Sequence, residues 1–212
     1  MLPALRDLLP GGSLQRGITV SVSGEAATSL ALALLAGPSA AGSWVAVVGV
    51  PSLGVAAAAE LGVSLERLVL VRDPPPASWG AVVAALVGAF DVVLLAPTRR
   101  VGMGDARRLA ARSRERGSVL VQLERTGARP VLEPDVRLDT RRVEWHGLEH
   151  GHGRLRARCM RIEVSGRRRA ARSREADMWL SDCEGGVAAT VVEPTVAPID
   201  ATVTPLSARR VS

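Results

Sequence analysis

From Ile18 to Leu123, short apolar runs alternate with stretches of helical periodicity. Ile18–Val22 reads as a strand, and Gly24 and Glu25 lead from it into a helix over Thr28–Leu35 with a hydroxyl near its start. Trp44–Val50 is apolar on both faces, which predicts a strand buried on both sides. An alanine-rich helix over Leu53–Leu61 follows, then a strand over Leu68–Val71 closed by the turn Asp73-Pro74-Pro75-Pro76. Trp79–Ala89 reads as a helix and Asp91–Leu95 as a strand. Asp105–Arg116 is an amphipathic helix with Ala106, Leu109 and Ala110 on its inner side, and Ser118–Leu123 is a further strand. Doubly apolar strands separated by helices predict an α/β fold, a mostly parallel sheet flanked by helices on both faces.

The second half changes period. Asp135–Trp145, Arg154–Val164 and Glu175–Leu180 alternate like strands, with glycine-rich or polar turns at Gly147–Gly153 and Ser165–Arg169. This predicts an antiparallel meander on the edge of the parallel sheet. The parity of the arginines breaks between Arg158 and Arg161, which suggests a β-bulge near Cys159 or Met160. Residues 183–212 carry Pro194, Pro198 and Pro205, no aromatics and no clear period. They are expected to form a disordered tail, or one that orders on a partner, after a domain spanning residues 1–182.

Composition narrows the picture. Hydrophobic residues make up 47%, but with one Phe, no Tyr and four Trp the core must be aliphatic. The apolar run Leu30–Leu35 is far too short for a bilayer span. No secretory pattern opens the chain, and Cys159 and Cys183 make no disulfide framework, so a cytoplasmic location and no membrane contact are expected. All 27 basic side chains are arginine. Between Arg137 and Arg174 lie 12 arginines and 4 acids, while the rest of the chain has 15 arginines and 17 acids. That local excess suits nucleic acid or an acidic protein surface.

The order of motifs carries a resemblance. Gly11-Gly12-Ser13-Leu14-Gln15-Arg16-Gly17 precedes the first strand, and Ser21–Thr28 then occupies the strand–loop–helix position of a P-loop. Together with Leu61-Gly62-Val63 before Leu68-Val69-Leu70, and with Asp91–Leu95 at the Walker B strand, this resembles the RecA family. Val136–Arg142, followed by Arg161–Val164, resembles the last strands of the RecA core. Within that superfamily Gly151–Arg158 and Ser165–Arg169 are most similar to the actinobacterial ImuA-prime family. That likeness implies a mutasome accessory role in DNA-damage-induced translesion synthesis. The implied partners are an ImuB-like member of the polymerase family and, indirectly, an error-prone C-family DNA polymerase.

A working P-loop needs two glycines whose backbone N–H groups wrap the phosphates, a lysine for the β/γ-phosphates and a hydroxyl for Mg²⁺. Aligned on the helix start, Ser21 and Ala26 replace the glycines and Ala27 the lysine; only Thr28 keeps its chemistry. Glu25 adds a carboxylate where triphosphate would lie. A charged hydrogen bond contributes about 1.5–3 kcal/mol, and the missing lysine would make more than one. The resemblance places the Walker B acid at Ala96, and no Asp or Glu occurs from Trp44 to Ala59. The expectation is a protein without catalytic activity, bound cofactor or metal. Thr28 then reads as an ordinary hydroxyl near a helix start.

What remains is the arginine-rich meander. Arg154, Arg156 and Arg158 alternate on one face of a strand, Arg167, Arg168 and Arg169 sit at a turn, and Arg172 and Arg174 follow. These residues make either a solvated face, a protein contact or a DNA contact. Scarce aromatics count against a stacking platform for single strands. His146, His150 and His152 read as part of a hairpin turn rather than as metal ligands. Two other functions are weighed against the adaptor: an ATP-dependent, DNA-binding recombinase-like protein, and a SulA-like inhibitor of cell division.

Overall fold

A computed structural model describes residues 3–96, 101–124, 130–149, 152–167, 170, 173–180 and 187–189. The elements follow in the order β1 Thr19–Gly24, α1 Ala27–Ala40, β2 Val45–Val48, α2 Val55–Glu60, β3 Leu68–Val71, α3 Trp79–Ala89 and β4 Val92–Leu95. Then come α4 Met103–Arg116, β5 Val119–Leu123, β6 Val136–Glu149, β7 His152–Gly166, β8 Arg174–Leu180 and β9 Val187–Ala189. The strands form one sheet in the order β3-β2-β4-β5-β1-β6-β7-β8-β9. Pairing is parallel from β3 to β6 and antiparallel from β6 to β9. The chain is therefore α/β, with a mostly parallel sheet flanked by helices and an antiparallel extension.

Burial explains the apolar runs. Every residue of β2 and β4 is buried, as expected for central parallel strands covered on both faces. One face packs under α1 and α2. There Val20, Val22, Val47, Leu94, Val121, Leu138, Met160 and Ile162 meet Leu30, Leu34, Leu35 and Ala58. The opposite face is covered by α3 and α4 only over the middle of the parallel half, where Ala46, Val48, Val93, Leu95 and Leu120 meet Trp79, Val83, Val87 and Leu109. Over β1, β6, β7 and β8 that second face carries Ser21, Ser23, Arg137, Asp139, Arg161, Glu163 and Asp177 instead, because alternate residues of each strand belong to the first core.

Three expectations need correction. The bulge is not in β7 near Cys159. The register of β6 against β7 shifts between Thr140 and Arg142, which leaves Arg141 as the extra residue opposite Ile162 and Arg161. β1 runs two residues past Val22, to Gly24. The segment taken as a disordered tail contains β9, whose Val187–Ala189 pair with Met178–Leu180. Residues 190–212 lie outside the described residues. Among the described residues no helix is long and apolar enough to cross a membrane.

Candidate functional site

Ligands of open α/β sheets sit beyond the carboxyl ends of the parallel strands, and here the central junction is the passage from β1 to α1. β1 stays in register with β6 through Val20↔Val136, Val22↔Leu138 and Gly24↔Thr140. Only Glu25 and Ala26 separate it from α1. Half of the eight positions aligned to a P-loop, Ser21 to Gly24, are therefore strand. A phosphate cradle needs successive N–H groups converging on one point, whereas successive residues of a strand turn theirs to opposite sides.

The turn is also filled from within. Thr140, on β6, donates its hydroxyl to the Ser23 carbonyl at 3.0 Å and accepts the Ala26 N–H at 3.4 Å. Gly24 has φ 96°, and a Cβ there would overlap both the Thr140 hydroxyl and its carbonyl. Ala26 and Ala27 are buried in the first core, so a lysine at position 27 would begin among apolar side chains. Thr28 is exposed and caps nothing. Ser21 is 2% exposed and belongs to the other side of the sheet. The degenerate positions are thus not gathered around a common point.

Ser21 leads to a residue that sequence reasoning passed over. Glu124 follows β5, beside Ser21, Arg137 and Asp139, and its Oε1 is buried with no protein hydrogen-bond partner. Burial pushes the pKa of its carboxyl up from its ordinary value; the nearby Ser21 hydroxyl and the charge of Arg137 pull the other way, and Asp139 pushes it up again. The available signal was an acid directly after an apolar strand. A raised folded-state pKa means that the ionised carboxylate opposes folding, so this group favours the fold at low pH and loses that contribution as pH rises through its folded value. Glu124→Gln is accordingly expected to raise the melting temperature at neutral pH. The gain should shrink as pH falls through the carboxylate range, as melting curves across pH would report; a pH-independent change would disprove the assignment.

The arginines divide. Arg158 shares the core-side face with Met160 and Ile162 rather than projecting to solvent. Its guanidinium lies 4.9 Å from the centre of the Trp145 ring and donates to the Leu180 carbonyl at 3.5 Å, and its Nε is buried without a partner. Burial lowers its pKa and nearby Glu25 partly restores it. On the open face, Arg161 makes a two-pronged pair with Asp177 at 2.8 and 2.9 Å, which holds the Asp177 carboxyl below its usual range. Arg141 bridges Glu163 at 2.8 Å and Asp139 at 3.1 Å. Arg167 pairs with Glu133, while Arg174 is exposed at the start of β8. The expected basic strip is therefore, over its described part, a ladder of alternating charge.

Arg154 and Arg156 lie in β7, but their side chains fall outside the described residues, as do Arg168, Arg169 and Arg172 entirely. His146 stacks edge-on against Trp179, with ring centres 4.8 Å apart. Among the described residues no three metal-ligating side chains converge. A cavity of about 370 Å³ between α3 and α4, lined in part by Asp105, Arg108, Leu109 and Arg112, belongs to helices that cover the opposite face from α1.

Comparison with known proteins places the first half of the chain. Residues 7–128 match the model of the MT3502 N-terminal domain. Over 120 residues the chain is 40% identical to the uncharacterized protein Rv3395c of Mycobacterium tuberculosis, covering 54% of this chain and 56% of that protein. The chain thus aligns with little more than half the length of this curated relative. The family match ends just past β5, so it takes in the parallel strands through β5 and leaves β6–β9 beyond its boundary.

Proposed function

We propose that this chain, which belongs to the MT3502 N-terminal domain family through residues 7–128, is a non-catalytic RecA-like accessory protein that serves translesion synthesis after DNA damage. It acts in the cytoplasm as an adaptor for an ImuB-type, polymerase-like partner, and through that partner for an error-prone C-family polymerase. The observation that carries the reading is the closed β1–α1 turn. Thr140 engages the Ala26 N–H that a wrapped phosphate would call on, and Ala27 offers no ammonium.

The sheet supports the RecA-like part of the reading. Val136–Arg142 and Arg161–Val164, the two segments matched to the last RecA strands, lie side by side as β6 and β7, with β6 next to the strand that leads into the degenerate loop. A core that keeps its architecture while its phosphate turn is filled by its own hydroxyl is suited to present surfaces rather than to turn over ATP. The self-paired arginines on the open face favour protein contact over a phosphate-tracking surface, because acids already neutralise much of the row.

Co-expression with the ImuB-type protein tests the proposal. A complex that survives purification in low salt is expected, with the same yield whether or not Mg-ATP is present. No complex, or one that assembles only with Mg-ATP, overturns it.

A further inference from the structure

β1 covers β6 only as far as Thr140. Among the described residues, the other edge of β6 has no neighbouring strand from Arg142 to Gly147, and no hydrogen bond from outside the β6–β7 ladder reaches its backbone there. The bulge at Arg141 turns β6 just where β1 leaves it. Arg142, Glu144, Trp145, His146 and Gly147 are all exposed. Trp145, at 48% exposed, is among the largest apolar side chains left open to solvent. An open run of strand edge with an aromatic at its middle is the arrangement that extended peptides use to join a sheet: backbone bonds give affinity, and side chains give selection.

Charge chooses the occupant. From Arg142 to Arg158 the hairpin carries four arginines against two glutamates and no other acid. Nearer the parallel strands, Arg141 and Arg161 are neutralised by Asp139, Glu163 and Asp177, so the excess along the sequence belongs to the hairpin beyond the end of β1. An extended acidic segment is attracted there. A second copy of the hairpin is repelled by its like charge, and a nucleic acid has no backbone to enter a ladder. We infer that the Arg142–Gly147 edge of β6 receives an extended, acidic segment of a partner protein as an added strand, with Trp145 as its aromatic anchor. The inference rests on the adaptor reading and names the surface through which it would act.

Amide hydrogen exchange on the full chain tests this, with a soluble peptide of alternating threonine and glutamate as the probe. A threonine–glutamine peptide and a short single-stranded oligonucleotide serve as comparisons. Exchange within Arg142–Gly147 is expected to slow by about tenfold with the acidic peptide at millimolar concentration, a shift that reports substantial occupancy, and to stay unchanged with either comparison. Trp145→Ala should weaken the protection while leaving exchange in β2 and β4 as it was. Unchanged exchange with the acidic peptide, or equal protection by the oligonucleotide, overturns the site. Within the co-purified complex, fast exchange at Arg142–Gly147 would overturn this site and leave the adaptor reading intact. Peptide protection without any complex would do the reverse.

Discussion

Gly24→Ala is expected to destabilise the fold by about 3 kcal/mol, combining roughly 1–2 kcal/mol for a side chain in the left-handed region with the strain of overfilling a packed site. For a chain of this size that lowers the melting temperature on the order of 10 °C. Gly42 supplies the control. Its φ is 98° against 96° at Gly24, but nothing lies within 4 Å of a Cβ built there. Gly42→Ala should therefore cost only the backbone share, and the difference between the two variants isolates the contact with Thr140. Adding Thr140→Ala to Gly24→Ala should recover part of the loss and not all of it, because the Thr140 carbonyl still crowds position 24. Equal losses at Gly24 and Gly42 would mean that the turn opens to admit the methyl group. The closed turn, and with it the main support for a silent nucleotide position, would then be lost.

The sequence was most legible where local signals act alone. Leu68–Val71 and Trp79–Ala89 match the expected bounds to the residue: the first is apolar throughout between Arg67 and Arg72, and the second opens after Pro76-Ala77-Ser78 and closes just before Phe90-Asp91. The end of β1 was not. Ser21 and Ser23 alternate with Val20 and Val22 as a strand should, but Gly24-Glu25 reads as the lead into the helix and closes the strand at Val22. What extends it is pairing with β6 and a side-chain bond from Ser23 to Asp139, 116 positions along the chain. No local pattern announces such a partner.

The arginines teach the same lesson about register. Their broken parity correctly signals that Arg158 and Arg161 face opposite ways, but a register shift can lie in either member of a strand pair, and here it lies in β6. Summing charge from Arg137 to Arg174 suggested a strongly basic surface. The sum missed Asp177, which stands across from Arg161 in β8, because that neighbour is set by pairing and not by proximity in sequence. β9 escaped notice for a related reason. Val187–Ala189 is too short to carry a period, and it is held by β8 and by Val187 packing on the first core.

Gln122→Leu is the second change expected to act strongly, and it bears on the segment that follows β5. Gln122 is 1% exposed, on the side of β5 that faces α3 and α4. Its amide donates to the Leu132 carbonyl at 2.6 Å and accepts the Leu132 N–H at 2.9 Å. One side chain thus replaces a strand neighbour for a loop residue whose own side chain is wholly buried in the second core. Leucine keeps the volume but leaves two backbone groups without partners. At about 1–3 kcal/mol for each orphaned buried group, the loss is about 2–6 kcal/mol by denaturant titration. Hydrogen exchange separates two ways of meeting that cost. If Leu132 pulls out into water, its amide loses protection while β4 amides keep theirs and the global loss is at the low end. If Leu132 stays seated with its bonds unmade, the whole fold weakens together. A Gln122→Leu variant as stable as the parent, with the Leu132 amide still protected, would show that the clasp does not hold this segment. The path from Glu124 to β6, and hence the placement of the open edge beside β1, would then need another anchor.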